Sequence, residues 1–263
     1  MDLGLKNKVA LVAASSKGIG YGIAEALAWE GVSVSIASRD ERSIHVAAER
    51  IGREANADIR PYVMDASDKD SIERWVSQSA HDFGGIDILV INAGGPPAGK
   101  FSDLTEEHWH HAFQLTLMSA VRMVHASVPE MRKRGGGSIL AVTSSSVKEP
   151  IENLLLSNVF RSGVTSLIKS LAHEFAKDNI RVNNIVPGRI DTDRVRSLDR
   201  INADRNGISE ETQRSKSEAS IPMGRYGSIE EFGRAAAFLV SPAASYTTGE
   251  TFQVDGGLIK TVW

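Results

Sequence analysis

The chain has 263 residues, 41% of them apolar, enough to fill a large core within one α/β domain. A formal net charge of −3 excludes a strongly basic chain and gives no sign of a nucleic-acid or anionic-membrane partner. The absence of cysteine excludes disulfides, thiolate nucleophiles and cysteine metal sites.

The opening Met1-Asp2-Leu3-Gly4-Leu5-Lys6 lacks the charged-then-apolar pattern of a signal peptide, and no run is apolar enough to span a bilayer. A cytoplasmic protein that engages neither nucleic acid nor membrane is therefore expected. In chain order, an apolar run at 9–14 predicts the first strand, followed by a helical pattern at 19–30. Strand and helix then alternate: 32–38 and 41–55, 59–65 and 68–83, 86–92 and 106–134, 138–143 and 153–177. A sixth strand at 181–186 precedes a highly charged segment at 193–220, a helix at 229–239 and a last strand at 251–254. Most of these strands are rich in Val, Ile and Leu without in/out alternation, which suits parallel strands covered on both faces. The fold class expected is α/β: one doubly wound, Rossmann-type parallel sheet of about seven strands over residues 1–263. The 193–220 segment is either a solvated helical insertion or a lid over a substrate, because ligands in such sheets sit at the strands' C-terminal ends.

Between the first strand and helix lies Ala13-Ala14-Ser15-Ser16-Lys17-Gly18-Ile19-Gly20. A glycine-rich turn opening a helix lets backbone approach a pyrophosphate and presents free N–H groups and a favourable dipole. Alone the motif also fits a simple tight turn. Further along come Asp65 and Ala66, Asn92-Ala93-Gly94, Pro187-Gly188-Arg189-Ile190-Asp191-Thr192 and Asp255-Gly256-Gly257. In this order and spacing they resemble the short-chain dehydrogenase/reductase family, especially its 3-oxoacyl-acyl-carrier-protein reductase-like members. The resemblance implies that Ser15 through Gly20 hold the pyrophosphate, Asp65 contacts adenine, and Thr192 contacts the carboxamide. It also adds Ala66, Asn92, Ala93, Gly94, Pro187, Gly188 and Ile190 to the cofactor site. Ala13 and Ala14 stand where the family has Thr-Gly.

Enzymes of this kind that use NAD place an acid at the end of the second strand for the ribose 2′-hydroxyl. Here Ser38 and Arg39 occupy that place, so NADP(H) is favoured over NAD(H): a guanidinium grips a 2′-phosphate that a carboxylate would repel. Lys17 could reach the same phosphate. The alternative is that both cations are ordinary surface charges, and Asp40 could neutralise Arg39.

The catalytic positions depart from the family, whose Tyr donates a proton, whose Lys four residues later lowers the Tyr pKa and binds ribose, and whose Ser polarises the carbonyl. Ser144 matches that Ser, but Ser157 replaces the Tyr, Arg161 the Lys, and Thr116 the Asn that holds a relay water. An aliphatic hydroxyl is far less acidic than a phenol, and arginine effectively never gives up its proton. Three readings stay open: an NADP(H)-dependent oxidoreductase acting on a ketone or secondary alcohol with a remodelled proton donor; a dinucleotide-binding sensor or assembly subunit; and a lyase or isomerase on the same fold. Lys148 and Glu149, on the loop after Ser144, are replacement proton donors or plain loop charges.

His108, His110 and His111 flank Trp109. A metal face is weighed against a helix start capped by Thr105, and the cap is favoured. Trp29, Trp75, Trp109 and Trp263 are scattered and read as packing residues. The helices at 106–134 and 153–177 are apolar on more than one face, and the resemblance implies a homodimer or homotetramer through them and the last strand.

Overall fold

A computed structural model describes residues 2–262; Met1 and Trp263, and with them the packing role read for Trp263, lie outside the described residues. Among the described residues seven parallel strands form one sheet in the order β3-β2-β1-β4-β5-β6-β7. The strands are β1 (Val9–Ala13), β2 (Ser33–Ser38), β3 (Ile59–Val63), β4 (Ile88–Ile91), β5 (Gly137–Val142), β6 (Ile180–Pro187) and β7 (Thr251–Val254). The helices are α1 (Gly18–Trp29), α2 (Glu41–Ala55), α3 (Lys69–Phe83), α4 (Glu106–Ala112), α5 (Ser119–Lys133), α6 (Leu155–Phe175), α7 (Asp193–Asn206), α8 (Glu210–Ala219) and α9 (Ile229–Val240).

The central strands alternate their side chains between two hydrophobic layers. Ala10, Val12, Ile88, Val90 and Leu140 face one layer with α1, α2 and α9. Leu11, Leu89, Ile91 and Ile139 face the other with α3, α5 and α6. Both layers are apolar, which is why β1, β4 and most of β5 read as unbroken hydrophobic runs. Pro61 is accommodated in β3 because that strand is an edge and needs no donor on its outer side. The chain reverses direction across the sheet between β1 and β4, and such a switch point opens a crevice at the strands' C-terminal ends.

Two expectations need correction. The helix expected at 106–134 is interrupted by a π-helical stretch, Phe113–Met118, which shifts the register between α4 and α5. The Ser119 hydroxyl donates to the Leu115 carbonyl at 2.6 Å within this irregular turn. Trp29 is 62% exposed and packs little, whereas Trp75 is buried and donates its ring N–H to Ser35 Oγ at 2.9 Å.

Candidate active site

A cleft of about 1360 Å³ opens at the C-terminal edge of the sheet. Its floor is the loop from β1 into α1. Gly18 has φ +62, a left-handed conformation that favours glycine, and Gly20 sits so close to the loop that a Cβ would collide with the Ala14 carbonyl oxygen. Asn92 at the end of β4 donates from Nδ2 to that same oxygen at 3.2 Å. Ala14 itself is held at φ 49, so the alanine found where the resemblance has glycine carries backbone strain.

The start of α1 has no capping side chain and no acid in its first turn. By contrast, α2, α3, α7, α8 and α9 each begin with a side-chain cap. Free N–H groups and an unneutralised helix dipole therefore face the cleft, and the missing Cβ atoms leave room beside them, so this loop fits a diphosphate. Arg39 lines the same cleft beyond β2 without a carboxylate partner among the described residues. Lys17 instead pairs with Asp193 of α7 at 3.1 Å.

Of the residues singled out in the sequence, Ser16, Lys17, Gly18, Ile19, Gly20, Ser38 and Arg39 line the cleft, as do Ala66, Asn92, Ala93 and Gly94. Ser144, Ser157, Arg161, Pro187, Gly188, Ile190 and Thr192 complete it. Three do not. The Ser15 hydroxyl is fully buried, donating to the Val12 carbonyl at 2.7 Å and accepting from the Ala37 N–H at 3.1 Å, so it ties β1 to β2. The Asp65 carboxylate turns back to the Ser67 N–H and hydroxyl, both at 2.8 Å. Burial pushes its pKa up, but these bonds and nearby Arg39 outweigh that and hold it below the usual range. Thr116 is buried in the π-helical stretch with its hydroxyl unpartnered.

Helix α6 is set against β5 and β6 by a chain of polar contacts. Thr143 Oγ1 donates to Asn184 Oδ1 at 2.8 Å, Asn184 Nδ2 donates to Thr165 Oγ1 at 3.3 Å, and Thr165 Oγ1 donates to the Arg161 carbonyl at 3.0 Å. This register points Ser157 and Arg161, four residues apart, to one face of α6. The Arg161 guanidinium donates to the Val142 carbonyl at 2.9 Å and the Ala93 carbonyl at 3.5 Å. Burial, with help from nearby Arg194, pushes its pKa down to about 10. Among the described residues no tyrosine lines the cleft.

Helix α7 turns Val195, Leu198, Ile201, Asn202 and Arg205 towards the cleft at one-turn spacings. Its base is fixed by buried Asp199, which accepts from Arg189 Nη1 and from the Tyr226 hydroxyl, each at 2.7 Å. Glu149 lines the cleft and Lys148 does not. His108 Nδ1 accepts from the Thr105 N–H at 3.2 Å in a capping box, so this histidine serves the start of α4. Among the described residues no cluster of His, Asp or Glu could hold a metal ion. No helix among them is long and apolar enough to cross a membrane. The sequence placed Arg194 only within the charged 193–220 segment and did not single out the stretch from Pro150 to Leu154; all of these line the cleft. An arginine directly after Thr192-Asp193 was the one signal for the former.

The strand order and the glycine-floored crevice define an α/β domain of the Rossmann type. A family model described as Enoyl-(Acyl carrier protein) reductase matches residues 13–259. The chain is 38% identical to dehydrogenase/reductase SDR family member 4 of Oryctolagus cuniculus, covering 96% of this chain and 94% of that protein. It is 33% identical to the 3-oxoacyl-[acyl-carrier-protein] reductase FabG of Escherichia coli, covering 97% and 99%. The crystal structure of L-sorbose reductase from Gluconobacter frateurii, complexed with NADPH and L-sorbose, superposes with a TM-score of 0.95 at 33% identity over the whole of both chains. The chain belongs to the short-chain dehydrogenase/reductase family of oxidoreductases.

Proposed function

We propose that the protein is an NADP(H)-dependent oxidoreductase that interconverts a ketone and its secondary alcohol through a remodelled proton-donor site. The observation that carries this reading is the uncapped, acid-free start of α1 on the floor of the cleft, with Arg39 in place of an acid beyond β2. The first suits a diphosphate and the second a 2′-phosphate. The NADPH complexes of L-sorbose reductase and of actinorhodin polyketide ketoreductase lend support as structural neighbours.

When bound, NADPH supplies the hydride that, with one proton, converts a carbonyl to an alcohol. Ser16 to Gly20 would hold the diphosphate and Ala66 would flank the adenine. Asn92, Ala93, Gly94, Pro187, Gly188, Ile190 and Thr192 would frame the nicotinamide half. Ser144 orients the carbonyl, and Arg161 offers its remaining N–H donors to the ribose. The proton comes from bulk solvent, relayed through water admitted beside Ser157, because the serine is shorter than a phenol by a whole ring and the arginine keeps its proton near neutral pH. Helices α7 and α8 act as the lid, and copies associate through α5, α6 and β7 into a dimer or tetramer.

Calorimetric titration tests the reading. Wild type should bind NADPH more tightly than NADH, and Arg39→Ala should lose about 10- to 100-fold for NADPH while leaving NADH nearly unchanged. No heat with either coenzyme on folded protein would end it. The loss of the Tyr and Lys favours one second reading, dinucleotide binding without turnover. NADPH binding with no oxidation across a panel of carbonyls would select it.

A further inference from the structure

Two guanidinium groups enter the cleft against one loop, and neither has a carboxylate partner among the described residues. Arg161 reaches the Ala93 carbonyl from α6, and Arg194 Nη2 donates to the Pro96 carbonyl at 3.2 Å from α7. Gly95 makes the seat for the second: a Cβ there would lie 3.0 Å from Arg194 Nη2. The acids that line the cleft are committed elsewhere. Asp193 pairs with Lys17 and Arg196, Glu152 pairs with Lys100, and Glu149 accepts from the Lys260 N–H. Asp103 accepts from the Lys100 N–H, and Asp40 accepts from the Ser43 N–H.

Two like charges drawn partly out of water, with no counter-ion, are unfavourable on both counts. Burial lowers the pKa of both arginines, and for Arg161 the charge of Arg194 adds to it. Arg194 uses one N–H on Pro96, so most of its planar fork stays available, and a fork of that geometry matches a carboxylate. An anion arriving here would relieve the repulsion. The coenzyme's own charges have other holders, at the start of α1 and at Arg39.

We infer that the substrate is a carbonyl compound bearing a carboxylate, and that Arg194, seated on Gly95 and Pro96 beside Arg161, grips that carboxylate in the cleft that holds Ser144. This rests on the NADP(H) reading, because it places the anion in the space left beside the bound coenzyme.

Calorimetry on NADPH-saturated protein separates the two claims. The probes are pyruvate, acetoacetate and levulinate, each against its methyl ester, titrated into wild type, Arg194→Met and Arg194→Lys. At least one acid should bind about 10-fold or more tightly than its ester. Arg194→Met should abolish that preference with little change in the affinity for NADPH, and Arg194→Lys should restore part of it. Equal binding of acids and esters, or no binding of any acid, overturns the inference while the coenzyme reading stands. If Arg194→Met weakens NADPH as much as it weakens the acid, the arginine belongs to the coenzyme and the inference also fails. If NADPH itself does not bind wild type, the functional reading falls first, and the inference with it. Thermal melts of the variants show that each is folded.

Discussion

Arg161→Met should make the protein more stable and a poorer binder of coenzyme. The guanidinium is held charged in a desolvated place, with its pKa pushed down to about 10. At about 1.4 kcal/mol per tenfold change in proton affinity, that depression represents about 3 kcal/mol against the charged form. Water entering the cleft screens part of it, so about 2 kcal/mol is recoverable on removing the charge. Methionine gives up one good hydrogen bond, to Val142 at 2.9 Å, and one long one, to Ala93 at 3.5 Å. Both carbonyls border the cleft and can turn to water, so this loss is about 1 kcal/mol. The net expectation is a gain of about 1 kcal/mol, or roughly 2–4 °C in melting temperature for a chain of this size. The pH dependence follows from the sign: a depressed arginine pKa makes the folded state carry its cost at every pH below about 10, so the gain should be flat from about pH 6 to 8.5. Urea denaturation at several pH values measures it. A variant less stable than wild type, at unchanged dependence on denaturant, would refute the claim that this charge is unfavourably buried.

Two further predictions concern the cleft's walls. Ala14→Gly should stabilise by about 0.5–1 kcal/mol, because relief of the left-handed φ at Ala14 exceeds the added freedom of the unfolded chain; denaturation curves that show destabilisation would mean the turn is not strained. Asp199→Ala should cost about 2–4 kcal/mol and expose residues 193–220 to limited proteolysis, since it strands Arg189 and the Tyr226 hydroxyl at once. Cleavage mapped outside that segment would show that Asp199 does not anchor α7.

β1, β4 and β5 were legible because they are buried on both faces, so their residues form apolar runs that survive without context, whereas the edge strands β3 and β7 are only partly buried. The π-helical stretch at Phe113–Met118 was not legible, since one widened turn leaves the apolar residues of the helix in place and shifts only their phase. Among the site residues, the glycines could be read because backbone approach demands them. Ser15 and Asp65 lie off the cleft because a short polar side chain takes whichever partner the fold brings near, and for Ser15 that is Ala37 on the neighbouring strand; Thr116 lies off it in the π-helical stretch, its hydroxyl buried without a partner. Arg194 was hidden in a segment full of charge; only the fold carries it to Pro96, 98 positions away in the chain.

The fixed register of α6 makes the altered proton donor testable by restoration. The contacts from Thr143 through Asn184 and Thr165 to the Arg161 carbonyl fix α6, so position 157 keeps its address in the cleft whatever side chain it carries. Ser157 and Gly94 both line that cleft, and Gly94 has nothing within 4 Å of where its Cβ would be. A phenol at position 157 would lie one helical turn from the guanidinium of Arg161, and a neighbouring cation lowers a phenol's pKa towards neutrality. Ser157→Tyr alone should therefore raise NADPH oxidation with carbonyl substrates, and Ser157→Tyr with Arg161→Lys should raise it further, within the roughly 10²- to 10⁴-fold that a placed general acid contributes. The gain should fall on kcat and leave the affinity for NADPH close to that of wild type, because proton donation matters only as the alkoxide develops. Folded, NADPH-binding variants with no gain on any carbonyl would show that position 157 does not face the reacting oxygen, and would move the chemistry elsewhere in the cleft.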